Sequence, residues 1–237
     1  MTRLLVHVEG ETEESFVNEV LASHLVSRGY VSVAARLVGN ARARSQRGGI
    51  RSWPAVRNDI VGHLREDRNC VATMMVDYYR LPQSGNGAWP GRAAAPTKLF
   101  EQRAETVEQA LLEDVSERMG GGLDTQRFIP FVLMHEFEAL LFSDCVRFAK
   151  AIGQEGVAKD LQAVRARFAT PEEIDDSPQT APSKRIGGIV RGYDKPFMGN
   201  LAVLEIGLPK IRSECRHFDD WLTCLERTAE DAKEQVT

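Results

Sequence analysis

The stretch Leu4 to Phe16, LLVHVEGETEESF, constrains the fold more than any other part of this chain. A short apolar run gives way to a glutamate, one glycine and at once an acid-rich segment. That order predicts a buried strand over Arg3–Val8, a tight turn and the start of a helix. Thr12 reads as the N-cap, with Glu13 and Glu14 in the first turn, where negative charge complements the helix dipole. Phe16, Val17, Val20, Leu21 and Leu25 then recur at helical spacing up to Gly29. Glu9 is thereby put at the carboxyl edge of a sheet, where open α/β folds bind their ligands. A charge at that edge has no evident structural duty, so it reads as chemistry.

The pattern repeats along the chain. Val31 to Val38 reads as a second strand, and Pro54 suits the first turn of a helix with Val56, Ile60, Val61 and Leu64 inside. Cys70 to Asp77 is a nearly unbroken apolar run ending in an acid, which fits a strand covered on both faces. Residues 80–96, rich in proline and glycine, read as a loop, and Thr97 to Met119 as a long helix stopped by Gly120 to Gly122. Arg127 to Met134 is a fourth strand, and Pro130 within it argues for an edge or irregular position. His135 to Leu141 turns directly into a helix, and the rest is mostly helical around a loop between Thr170 and Ser183. The expectation is an α/β fold with a mainly parallel sheet of about four strands flanked by helices. Residues 1–145 form that core and 146–237 a helical extension packed on it.

No run approaches the roughly 18 apolar residues of a membrane helix, and the first residues lack the pattern of a signal peptide. The expectation is a cytoplasmic protein with reduced thiols. Cys70, Cys145, Cys215 and Cys224 are scattered, and the Cys215, His217, Cys224 segment lacks the paired spacing of a zinc site. The net charge of −4 does not advertise nucleic-acid binding, but distribution matters more than the sum. Between Arg36 and Arg51 stand Arg42, Arg44 and Arg47 with no acid among them. Such a loop contacts phosphates or is simply solvated.

Three acids or acid pairs follow strands: Glu9, Asp77, and Glu136 with Glu138. Parallel neighbours lie about 4.8 Å apart, so carboxylates at adjacent strand ends are able to share one cation. Hard oxygen ligands select magnesium or manganese, which polarise a phosphodiester and generate hydroxide. Neither GxxxxGK[ST] nor a GxGxxG after the first strand is present, which argues against a P-loop and a dinucleotide fold.

The segments VEGETEESF (Val8 to Phe16), MMVDYY (Met74 to Tyr79) and HEFEALLFSD (His135 to Asp144) together resemble the DUF4276 family, placed in the Toprim-like superfamily. PSKRI (Pro182 to Ile186), GYDKPF (Gly192 to Phe197) and CRHFDDWL (Cys215 to Leu222) resemble it as well, so the likeness spans most of the chain. A Toprim-like domain implies a glutamate after strand one and an Asp-x-Asp after a later strand, jointly binding magnesium. Glu9 matches the glutamate and Asp77 the first aspartate; Tyr79 stands at the second. The resemblance to nucleases of the overcoming-lysogenization type implies that Glu136 or Glu138 replaces the missing oxygen. It also implies a phage-defence setting beside an ABC-type ATPase.

Each candidate has a plain reading beside the functional one. Glu9 is a ligand or general acid/base, or a turn-stabilising acid; Asp77 is a ligand or a turn residue. Glu13 binds metal or complements its helix. Glu136 and Glu138, two apart, do not share a helix face, so one of them points into a site and either serves as a cap. His135, Lys184, Arg185 and Lys195 contact phosphate, Lys195 as a catalytic charge, or are packing and surface residues. Trp53, Trp89 and Trp221 read as packing, with Trp89 the best placed for base stacking. The expected function is a magnesium- or manganese-dependent nuclease acting on DNA or RNA. The alternative is a non-catalytic module of an ABC-type ATPase.

Overall fold

A computed structural model of the chain describes residues 2–38, 50–122, 124–174 and 179–234. It divides into two compact units, Met1–Val132 with Thr223–Thr237, and Leu133–Leu222. Arg42, Arg44 and Arg47 lie outside the described residues.

The first unit is built on β1 (Arg3–Val8), α1 (Glu11–Phe16), α2 (Ala22–Arg28), β2 (Ser32–Leu37), α3 (Trp53–Glu66), β3 (Cys70–Asp77), α4 (Phe100–Arg118), β4 (Phe128–Ile129) and β5 (Val132–Leu133). The sheet order is β2-β1-β3-β4, with β5 also pairing β3, and the pairings among the first four strands are parallel. This is the mainly parallel α/β sheet that alternating strands and helices require. Every residue of β3 is buried, which is why its sequence is a continuous apolar run rather than an alternating one. Pro130 splits the expected fourth strand into two two-residue pieces. A proline has no amide to give the ladder, and Val132 N–H instead donates to the Glu108 carboxylate at 2.8 Å.

Helix starts and stops follow local chemistry. The first helix begins at Glu11 with Gly10 as its N-cap, two residues earlier than a Thr12 cap implies. It runs through a π turn at Val17–Leu21 into α2. Gly91, at φ +75°, lets the loop before α4 approach that helix closely: a Cβ there would lie 2.4 Å from the Thr106 carbonyl oxygen. Trp53 and Trp89 are both buried with ring centroids 5.0 Å apart, and Trp89 Nε1–H donates to the Arg51 carbonyl at 3.1 Å. Trp89 is therefore a packing residue and not a base-stacking one.

The second unit is helical: a 3-10 segment at Phe137–Ser143, then α5 (Cys145–Ala151), α6 (Ala158–Arg165), α7 (Pro182–Ile189), α8 (Lys195–Ile206), α9 (Leu208–Glu214) and α10 (Arg216–Glu234). The expected helix after His135 is this 3-10 segment, buried along its whole length. The sequence boundary was expected at 145; the units divide after Val132, and α10 from Thr223 onward belongs to the first. Side chains tie that end of α10 to α2: Tyr30 Oη donates to the Leu225 carbonyl at 3.0 Å, and His24 Nε2 meets Glu226 Oε1 at 2.5 Å. Among the described residues no helix is long and apolar enough to cross a membrane.

His7, the fifth residue of β1, is buried in the first unit's core. Its Nδ1 lies 3.1 Å from the Thr73 carbonyl and its Nε2 3.2 Å from His63 Nδ1. The neutral tautomer that satisfies both contacts donates from Nδ1 and accepts at Nε2. Burial, opposed by the Thr73 carbonyl and reinforced by His63, lowers the His7 pKa to about 4. The folded protein thus binds fewer protons than the unfolded chain below pH 6.5, so stability falls as pH falls. The expected loss from this residue is about 3 kcal/mol on going from pH 7 to pH 4, with little further change below. An NMR titration of the His7 ring is the direct check; an inflection near pH 6.5 contradicts it.

Candidate functional site

In the first unit the carboxyl ends of β1 and β3 are neighbours, with Val8 paired to Met75. Glu9 follows the first strand directly and Asp77 ends the other, and both side chains are buried. Strict alternation from that pairing would send positions 9 and 77 to opposite faces. The backbone bends out of the strand at Glu9 and Gly10, however. The Glu9 carboxylate meets Arg80 of the 3-10 turn that follows Asp77, Nη1 to Oε1 at 3.5 Å. Glu9 therefore faces the same turn that Asp77 begins.

That turn is held from behind. Arg92, itself buried, stacks over the Tyr78 ring at 3.9 Å and donates to the Tyr78 carbonyl and hydroxyl, each at 3.2 Å. Tyr79 is half-buried. Arg80 is half-exposed, and its guanidinium is the cation beside Glu9.

Glu13 is buried too, but its Oε2 accepts the Gly10 N–H at 3.1 Å. This is the reach-back of a third-position glutamate that satisfies an unpaired amide at its own helix start. Of the described arginines of the basic stretch, Arg51 is engaged with Asp59 at 2.8 Å.

The second unit gathers its own carboxylates. Glu136 Oε2 accepts the Ser183 N–H at 2.9 Å, in the first turn of α7. The amides of that turn have no partner within their own helix, and a carboxylate also complements the dipole there. Glu138 has no exposed surface, and Lys195 Nζ reaches its Oε2 at 3.0 Å. Burial raises the Glu138 pKa, Lys195 pulls it back, and Glu136 adds to the rise. Tyr193 belongs to the same cluster: burial first, then the negative charge of Glu138, pushes its phenol up, so it stays protonated. His135 is buried, Lys184 is exposed, and Arg185 Nε donates to the Thr180 carbonyl at 2.7 Å.

The sequence-predicted candidates thus fall into two sets. Glu9 and Asp77 lie at the carboxyl ends of adjacent strands in the first unit; Glu136, Glu138 and Lys195 cluster in the second. Arg80 and Tyr193 were missed: Arg80 lies outside the quoted segments, and within GYDKPF the sequence drew attention to Lys195 rather than to Tyr193. Arg80 had one signal, its place three residues beyond a strand-ending aspartate. Among the described residues no group of three or more His, Cys, Asp and Glu side chains is arranged to hold a metal ion. Magnesium asks for less. It keeps several waters and is commonly held by one or two carboxylates together with substrate phosphates. Glu9 and Asp77, two carboxylates at the ends of adjacent strands, would be such a protein share, with the Arg80 guanidinium now beside Glu9. The buried Cys215, whose Sγ contacts Ser143 Oγ at 3.4 Å, takes part in no such group.

The family profile described as "Domain of unknown function (DUF4276)" matches residues 8–226. No curated protein and no solved structure matches the chain.

Removing Lys195 leaves a fully buried carboxylate without its cation. Lys195→Met is expected to destabilise the protein by about 3 kcal/mol at pH 8. The loss should shrink at pH 5, where Glu138, its pKa already raised, takes up a proton and becomes neutral. Adding Glu138→Gln to Lys195→Met should restore most of the stability. Urea unfolding of the three proteins at both pH values checks the pattern; a pH-independent loss contradicts it.

Proposed function

We propose that this chain, which belongs to the DUF4276 family, is a metal-dependent phosphodiesterase that cleaves DNA or RNA. In this reading the first unit is Toprim-like, and Glu9 and Asp77 hold magnesium or manganese at the carboxyl edge of its sheet. The observation that carries the proposal is the pair of buried carboxylates just past the ends of adjacent parallel strands. Open α/β sheets bind ligands at that edge. The bound ion would supply Lewis acidity toward a phosphodiester oxygen and lower the pKa of a water.

The chain's own part is positional. Arg92 fixes the turn that carries Asp77 into Tyr78, and the bend at Glu9 and Gly10 turns the glutamate toward it. The arginines between 42 and 51 would attract the polyanionic backbone, which positions a nucleic acid without reading its sequence. The resemblance to overcoming-lysogenization-type nucleases supports a cytoplasmic phage-defence role beside an ABC-type ATPase.

A second reading has its own support: Tyr79 stands where a second aspartate would, and no third ligand joins Glu9 and Asp77 among the described residues. The chain would then be a non-catalytic module of such an ATPase. Calorimetry with magnesium and manganese, together with ATPase pull-down, separates the two.

Cleavage of labelled DNA and RNA with magnesium or manganese tests the enzyme directly. Glu9→Gln and Asp77→Asn are each expected to lower the rate by about 10²-fold or more, as removal of one charge-stabilising group does elsewhere. Equal rates for the wild type and both variants would eliminate the proposal.

A further inference from the structure

Arg80 is placed for more than a surface ion pair. Its partner Glu9 is buried, while about half of its own side chain faces solvent (54% against 7%), at a separation of 3.5 Å. The pairing is long for a charge-assisted hydrogen bond, and its cation is able to move away without leaving a cavity. The backbone beneath it is not free to follow, because the buried Arg92 clamps Tyr78 by stacking at 3.9 Å and by bonds at 3.2 Å to its carbonyl and its hydroxyl. A solvent-facing guanidinium thus sits on a clamped turn, at the edge where β3 ends in Asp77 and Glu9 follows β1.

We propose that Arg80 couples metal loading to substrate binding: it is the counter-cation of Glu9 until a divalent ion arrives, and a phosphate-binding group afterwards. The inference rests on the phosphodiesterase reading and adds an order to it. A divalent ion on Glu9 and a guanidinium at 3.5 Å compete for one carboxylate and repel each other, so loading releases Arg80 toward solvent. The released guanidinium is planar, permanently charged and forked, which suits two oxygens of a phosphodiester. Metal and nucleic acid then favour each other's binding, because each removes an obstacle to the other, and linkage makes that coupling mutual. Arg80 on this account contacts substrate, whereas Arg92 is a positioning residue acting through Tyr78.

The experiment compares wild type, Arg80→Gln and Arg80→Lys. Manganese affinity is measured by calorimetry without nucleic acid, and affinity for a fluorescent single-stranded oligonucleotide is measured in calcium and in EDTA across a salt series. Arg80→Gln removes the competing cation, so manganese should bind about two- to five-fold tighter, the scale of an exposed ion pair. The same variant should lose the calcium-induced gain in oligonucleotide affinity, and its salt slope should fall by about 1. Arg80→Lys keeps the charge but not the fork; it should hold manganese affinity near the wild-type value while still weakening the oligonucleotide. Wild-type binding of manganese with unchanged manganese and oligonucleotide affinities in Arg80→Gln would overturn the inference and leave the phosphodiesterase reading standing. Absence of manganese binding by the wild type would overturn both.

Discussion

An ionised carboxylate taken out of water must find positive charge or hydrogen-bond donors, and that requirement organises this protein. Glu9, Glu13, Asp77, Glu136, Glu138, Glu172 and Glu226 are all buried. Three of them are satisfied by backbone amides at helix starts. Glu13 takes the Gly10 amide, Glu136 the Ser183 amide, and Glu172 the amides of His217 and Phe218 at 3.1 and 3.0 Å. Two are answered by cationic or ring-nitrogen side chains as fixed parts of the fold: Glu138 by Lys195, and Glu226 by His24 and Arg28. Glu9 differs because its cation, Arg80, is half-exposed and belongs to a short turn rather than to a packed helix. A helix amide has no alternative occupation, whereas a solvated guanidinium does. The distinction separates the five acids held by backbone amides or helix side chains from Glu9, whose Arg80 partner faces solvent.

The same distinction explains what the sequence made legible. Cys70–Asp77 was readable to the residue because a strand covered on both faces must be apolar throughout, and the acid marks where cover ends. Arg3–Val8 was equally clear, since Glu9 and Gly10 break the run. The strand expected over Arg127 to Met134 came apart at Pro130, a local rule whose consequence was visible but whose extent was not. The segment after His135 has helical composition, yet all seven residues of its 3-10 turn are buried, a demand set by packing and not by periodicity. The unit boundary escaped because the return of α10 depends on contacts such as Tyr30 with Leu225, which no local pattern announces.

For the candidate site, position was legible and partnership was not. Glu9 and Asp77 are strand-end acids, and a strand end is a local property. Spacing also showed that Glu136 and Glu138 would not share a face, and they go to different partners. Those partners, the Ser183 amide and the Lys195 ammonium, are remote in sequence, so the choice between ligand and cap was not contained in the HEFEAL segment. Glu138 illustrates the point. Its charge and its place in a family motif suggest a metal ligand, while its burial against Lys195 shows the ammonium already in a cation's place.

Tyr79 is the strongest argument against a metal-dependent reaction, and the turn around it limits that argument. A second aspartate two residues after the first would add charge to an edge that already carries Glu9 and Asp77. Here the neighbouring residues are instead the ring of Tyr78, clamped by Arg92, and the guanidinium of Arg80. Such a turn gives up one oxygen donor and gains a rigid backbone with a positive group facing solvent. A magnesium ion that keeps most of its waters loses little affinity by that exchange, since one or two carboxylates are its usual protein share. In the proposed reading a phosphodiester would gain more, because positive charge near its oxygens lowers the barrier where negative charge accumulates. In the proposed phosphodiesterase reading, Tyr79 in place of a second aspartate would shift the turn's work from holding the ion to holding the phosphate.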